Sequence, residues 1–183
     1  CCYPTANGWI TAQADLIGQA LTNEPGKVRI LFSAHGLPRK VVDGGDPYQW
    51  QVEQTAAAVV SAMGGHDNWA VCYQSRVGPL EWIGPSTEDE LTRAAKEGLG
   101  VIIVPIAFVS EHSETLVELD IEYQELAADL GLSTYVRVPA VGTHPAFIGG
   151  LAEIVRKVRG DASPVPFGGA DGARVCPSRF GKC

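Results

Sequence analysis

The chain has 183 residues, 45% of them hydrophobic and 19% charged, with a formal net charge of −7. These values fit a globular chain with one sizeable core, and the acidic balance argues against a nucleic-acid partner, which needs a basic face. No run approaches the roughly 18 apolar residues of a membrane span.

The N-terminal CCYPTANGWI has neither a basic n-region nor a long apolar h-region, so no signal peptide is read there. The only methionine is Met63, which makes the chain look like a piece of something longer. Cys1, Cys2, Cys72, Cys176 and Cys183 are odd in number and gather at the two ends. That is not a secreted disulfide framework, and a reducing, cytoplasmic compartment is expected.

In chain order, Asn7 or Thr5 is placed to cap a first helix over residues 8–21. An apolar run at 27–33 predicts the first strand. An alanine-rich helix over 47–63 stops at Gly64-Gly65. A second strand follows at 68–74. Ser86 and Thr87, followed three residues later by Asp89 and Glu90, form a capping-box pattern for a helix ending near Gly98. The run at 100–108 is almost continuously apolar, as a central parallel strand is. Pro105 inside it predicts a bend or bulge, because proline removes a ladder donor. A helix over 112–130 stops at Gly131, a short strand follows at 133–139, and a last helix spans 145–159 with basic residues in its final turn. Residues 160–183, rich in Gly and Pro, read as a tail that is ordered only if tied down. Strands alternating with helices predict an α/β domain over 1–159, a four-stranded parallel sheet flanked by helices on both faces.

Two stretches carry candidate chemistry. The first, LFSAHGLPRKVVDGGDPYQW over 31–50, delivers His35 at the C-terminal end of a strand, where open α/β folds place ligands. Ser33, Ala34 and Gly36 are small and Pro38 is stiff, so the imidazole is presented rather than packed. A neutral imidazole suits Fe²⁺ or general-base work near neutral pH. The second, SEHSETLVELDIEY over 110–123, sets Glu111, Glu114, Glu118 and Glu122 three, four and four residues apart. On a straight α-helix they fall within about 80° of one face, opposite Leu116, Leu119, Tyr123 and Leu126. Such a run is usually a solvated acidic face. Here no Lys or Arg lies between Lys96 and Arg137 to relieve the repulsion, so a cation path competes on equal terms.

Weaker candidates sit elsewhere. Arg76 and Trp82 lie in the Gly/Pro-rich loop after the second strand, as surface charge and packing aromatic or as a carboxylate partner and a platform for a flat ligand. Cys1-Cys2 and Cys176-x6-Cys183 hold enough thiols for an iron–sulfur cluster but match no compact cluster spacing. His144, in GTHP, reads as a local hydrogen-bonder at a helix start.

Three blocks in order, SAHGLP…GDPY, QSRVGP…W.GP and VPIAFVSEHSETLVELDIEY, resemble the C-terminal half of a ferrochelatase over about residues 3–158. The resemblance implies a Rossmann-like chelatase domain, one of two lobes, with the N-terminal lobe absent. It implies insertion of ferrous iron, as substrate, into protoporphyrin IX. His35 and Glu114 would face each other as the catalytic and metal-contacting pair, with Glu111, Glu118 and Glu122 as the acidic line. Trp82, Arg76 and Tyr123 would lie at the substrate pocket. Because some members carry a [2Fe–2S] cluster near the C-terminus, Cys176 and Cys183 become candidate ligands. Another tetrapyrrole as substrate, or a non-catalytic metal- or haem-binding module, stays open, as do peripheral membrane contact and oligomeric state.

Overall fold

In a computed structural model of the chain, residues 2–24, 26–160 and 175–182 are described. Four strands, β1 Val28–His35, β2 Trp69–Gln74, β3 Gly100–Pro105 and β4 Tyr135–Arg137, form one all-parallel sheet in the order β2-β1-β3-β4. Side-chain alternation divides it. Ile30, Phe32, Ala34, Ile102 and Val104 enter one core, whereas Leu31, Val101 and Ile103 enter the other, as the period of two requires. Helices α1 (Asn7–Asn23), α3 (Tyr48–Ala62) and α7 (Pro145–Gly160) cover the first face, and α4 (Thr87–Lys96) and α6 (Tyr123–Asp129) the second. Among the described residues no helix is long and apolar enough to cross a membrane.

The strand order places the functional end. The chain leaves β1 for β2 on one side and returns to β3 on the other, so the connections diverge between β1 and β3. Ligands of open parallel sheets bind outside the strand C-termini at such a point. β1 ends there on His35, and the loop after β3 there begins the acidic stretch.

Several expectations hold in detail. Ser86 caps α4 by accepting from the Asp89 N–H at 3.0 Å, and Asp89 accepts in return from the Ser86 N–H. Others need correction. α1 is capped by neither Asn7 nor Thr5: Ala6 is its N-cap, without a side-chain bond. β3 does not run through to Phe108. It stops at Pro105, which occupies the last ladder position opposite Ser33, and the chain then turns, with Phe108 N–H donating to the Pro105 carbonyl. A short helix, α2 (Arg39–Asp43), occupies the loop after His35.

The long helix expected over 112–130 is broken into three pieces. α5 (Ser113–Leu116) passes into a π-helical turn, Glu118–Glu122, and then into α6. Glu122 N–H reaches back five residues to the Val117 carbonyl, the π spacing that inserts a residue into the helical repeat. The one-face arithmetic for the glutamates therefore fails. Leu116 is 46% exposed instead of buried, and Glu118 lies against Tyr123 instead of opposite it.

Residues 175–182 return to the domain. Cys176 and Phe180 are buried, Phe180 packs on Trp50 at 5.9 Å between ring centres, and Lys182 N–H donates to the Gly45 carbonyl. These contacts tie down that stretch.

α1 and α7 cross backbone to backbone at Gly8 and Gly150. A Cβ on Gly8 would sit 2.4 Å from the Ala146 carbonyl oxygen and 2.8 Å from the Gly150 Cα, neither of which can rotate away. Gly8→Ala is expected to destabilise by about 1–3 kcal/mol through overpacking, despite alanine's better helix propensity. A urea midpoint that stays level or rises would contradict this contact.

Candidate functional site

His35 closes β1, beside Gln74, its register partner at the end of β2. Its Nδ1 lies 2.7 Å from the Gly36 carbonyl oxygen, which can only accept, so in the neutral ring Nδ1 carries the hydrogen. Nε2 then holds the lone pair, and it faces Glu114 Oε1 at 3.7 Å. The two side chains are 40% and 38% exposed, open enough to receive a ligand from above.

Two loops are zipped together around this histidine. Arg39 N–H donates to the Glu81 carbonyl and Ile83 N–H to the Leu37 carbonyl, so the segment after β1 pairs with the segment after β2. The pairing sets Trp82 and Arg76 against Gly36. A Cβ there would meet Arg76 Cγ at 3.0 Å, the Gln74 carbonyl oxygen at 3.0 Å and Trp82 Cε3 at 3.3 Å. Gly36 is thus required by close approach, and both loop candidates are brought beside His35.

Glu114 stands on α5, held from beneath by Gln74. The fully buried Gln74 amide accepts from Ser33 Oγ at 2.8 Å. Its nitrogen donates to the Glu114 backbone carbonyl at 2.8 Å and to Glu118 Oε2 at 2.9 Å, two oxygens that can only accept and so fix which way the amide faces. Ser33 Oγ is also 3.1 Å from Thr87 Oγ1, extending the chain to the start of α4. Glu118 further accepts from the Ser75 N–H at 2.7 Å, the Ser75 hydroxyl, and the Tyr123 hydroxyl at 3.0 Å. Ser75 sits at φ 59°, a left-handed conformation uncommon for serine, and this aims both its donors at one carboxylate.

The other candidates fall in different places. Tyr123 is 5% exposed, and its hydroxyl reaches Glu118 and Glu88; burial and then those two carboxylates push its pKa up. Glu111 bonds Arg137 at 2.9 Å and the Ala140 N–H at 2.9 Å. Glu122 is exposed on the π turn. Arg137 supplies the cation whose absence from the stretch had strengthened the case for a metal path. Among the described residues no three His, Cys, Asp or Glu side chains converge as a metal-holding group. Cys176 Sγ lies 3.9 Å from Cys2 Sγ and accepts from Gln51 Nε2 at 3.1 Å, whereas Cys1 and Cys183 lie outside the described residues.

Several site residues carried no assignment from sequence. Gln74, Ser33 and Thr87 are buried polar positions near the strand ends; for Gln74 and Ser33 a polar residue inside an apolar strand was the available signal, whereas Thr87 opens α4. Tyr48, in the GGDPY turn, lies near the His35 backbone and Glu114; burial and then the Glu114 charge raise its hydroxyl pKa, against the His35 backbone, which lowers it. A cavity of about 300 Å³ opens beside it, lined also by Tyr3, Trp9, Val52, Thr55, Ile106 and Val109.

Burial alone would raise the pKa of Glu111, but bonds from the Thr115 hydroxyl, the Arg137 guanidinium and the Ala140 N–H outweigh it and hold the carboxyl below its usual range. A depressed carboxylate contributes stability above its unfolded pKa, about 4.3, and loses it as pH falls through the lower folded value. The stability gap between the protein and Glu111→Gln is therefore expected to be largest near neutral pH and to shrink below about pH 4. A gap that stays constant across that range in urea titrations would contradict the geometry.

With this geometry in view, the comparisons with known proteins are direct. The ferrochelatase family model matches residues 1–159. The chain is 56% identical over its whole length to a ferrochelatase of Caulobacter vibrioides, covering 52% of that protein. It is 50% identical to one of Phenylobacterium zucineum, covering 53% of it, and 48% identical to one of Rickettsia bellii, covering 51%. It spans about half the length of these curated relatives. A family match over most of the chain, with relatives this similar from end to end, leads to one conclusion: the chain belongs to the ferrochelatase family.

Proposed function

We propose that the protein carrying this chain inserts ferrous iron into protoporphyrin IX, with His35 and Glu114 as the working pair. The observation that carries this is the 3.7 Å approach of His35 Nε2 to Glu114 Oε1 at the switch point of the sheet. Relatives named ferrochelatase support the reaction class.

The reaction replaces two pyrrole N–H protons by one Fe²⁺, so two protons leave while the metal sheds water. His35 Nε2, unprotonated in the neutral ring because Nδ1 serves the Gly36 carbonyl, accepts one pyrrole proton, passes it to solvent through its exposed side, and then accepts the second. The imidazolium so formed lies beside the Glu114 carboxylate, which stabilises it. Glu114 also offers a hard oxygen to the incoming cation. Trp82, at Gly36, offers an apolar face to the macrocycle, and Arg76 a guanidinium to a carboxylate on its rim. Glu122 and the Glu114 side form the open part of the acidic line. Glu118, with four donors on its two oxygens, and Tyr123 behind it serve by holding α5. The same proposal keeps a Rossmann-like domain over 1–159, a C-terminal tail beyond it, a second lobe from the rest of the protein completing the pocket, and a cytoplasmic setting argued from cysteine usage.

His35→Ala in the full-length protein is expected to abolish insertion of Fe²⁺ without loss of folding, and Glu114→Gln to lower kcat by about a hundredfold or more, the range of a positioned proton-transfer or charge-stabilising group. Near-normal turnover in His35→Ala would sink the assignment. Comparing protoporphyrin with coproporphyrin as acceptors tests the substrate, and haem binding without any turnover would favour the carrier alternative.

The cysteines fit an iron–sulfur group in part, since Cys2 and Cys176, 174 residues apart, bring their sulfurs within 3.9 Å. We propose that Cys176 and Cys183 hold a [2Fe–2S] cluster together with the Cys1-Cys2 pair. Such a cluster, when bound, is a one-electron carrier and a cross-link between chain ends. Anaerobically purified protein should then show cluster absorption and an electron paramagnetic resonance signal on reduction, and Cys176→Ser should remove both. A colourless, iron-free wild-type protein would contradict it.

A further inference from the structure

We propose that Arg137 is a positioning residue for metal insertion: one guanidinium fastens both ends of the stretch that carries Glu114 and so holds that carboxylate opposite His35. The inference rests on the assignment of Glu114 just made. Arg137 ends β4 in fixed register with Ile103, and its side chain is 14% exposed. Nε and Nη2 donate to the two oxygens of Asp120, the second at 2.9 Å, while Nη1 donates to Glu111 Oε1 at 2.9 Å. Glu111 precedes α5, Asp120 lies in the π turn after it, and Glu114 lies between them.

That stretch needs outside support. α5 has four residues, far too few for a self-stable helix. Leu116 and Val117 are 46% and 45% exposed, so little apolar burial anchors them. Gln74 and Ser75 hold the stretch from the His35 side through the Glu114 carbonyl and Glu118. Arg137 holds it from the opposite side of the sheet, off β4. Two carboxylates on one guanidinium use the planar fork, which a lysine cannot reproduce.

The test uses the full-length protein with Arg137→Lys, which keeps the charge and loses the fork. Iron insertion is expected to fall in kcat by about tenfold to a hundredfold, the scale of a misplaced catalytic group, with KM for porphyrin changed less than about twofold. Amide hydrogen exchange should rise over residues 113–118 and stay unchanged in β1 and β3. In a Glu114→Gln background the same substitution should add almost nothing to the loss in kcat, because the clamp acts through Glu114; a full additive loss would instead make Arg137 merely structural and overturn the proposal. Full kcat in Arg137→Lys, or unchanged exchange over 113–118, would overturn it too. If Arg137→Lys fails to fold, Asp120→Asn and Glu111→Gln each remove one arm of the fork and are read the same way. A wild-type protein that turns over no iron would instead remove the function assignment, and this inference with it.

Discussion

A single buried amide joins the two halves of this site. The Gln74 backbone carbonyl accepts from the Gly36 N–H next to His35, and its side chain holds the Glu114 carbonyl and the Glu118 carboxylate. The distance between a strand-borne imidazole and a helix-borne carboxylate thereby becomes a property of the sheet. Leaving a buried partner unsatisfied costs about 1–3 kcal/mol, and every member of the Thr87–Ser33–Gln74–Glu118 chain has its partner. The network has one arrangement because the Glu114 carbonyl and the Glu118 carboxylate can only accept, so the Gln74 NH2 must face them and its oxygen is left to accept from Ser33.

Backbone irregularity gathers around the same carboxylate. Ser75 at φ 59° and the π turn at Glu118–Glu122 both depart from regular geometry within reach of Glu118. Left-handed non-glycine residues cost on the order of 1–3 kcal/mol and persist where surroundings over-determine them. Two bonds from Ser75 to Glu118 supply that determination here. π turns occur often at functional sites because the extra residue re-aims side chains. In this one, the glutamates of one apparent stripe are sent to different tasks: Glu114 to His35, Glu118 to the network, Glu122 to solvent.

The other side of His35 is set by the turn that carries Tyr48. Asp46 Oδ1 accepts from the Tyr48 N–H at the start of α3, and the Gly45 carbonyl of that turn accepts from Lys182. The 175–182 segment thus reaches the turn whose tyrosine lies near the His35 backbone. The cavity beside Tyr48 lies between α3, the N-terminal 2–4 segment and the Ile106–Val109 loop after β3.

How much of this was legible from the residues depends on the range of the interaction. Local signals sufficed for the four strands, the Ser86–Asp89 capping box and the placing of His35 at a strand end, because period-two burial, capping and strand termini depend on neighbours in the chain. Motif order sufficed for the family. The resemblance singled out Glu114, but the fates of Glu111, Glu118 and Glu122 were not legible, because the i,i+4 geometry assumed a straight α-helix and one inserted residue at Glu118–Glu122 overturns it. Nor was the role of Arg137 or Gln74, whose partners lie 17 and 26 residues away to Asp120 and Glu111, and 40 and 44 away to Glu114 and Glu118. The sequence by itself determined a parallel α/β sheet of the ferrochelatase family with His35 presented at its C-terminal end. The resemblance named Glu114 as the carboxylate facing that histidine; tertiary structure alone decided how the pair is held and where the other glutamates go, since only the packing of β1, β2 and β4 against the broken helix brings those distant partners together.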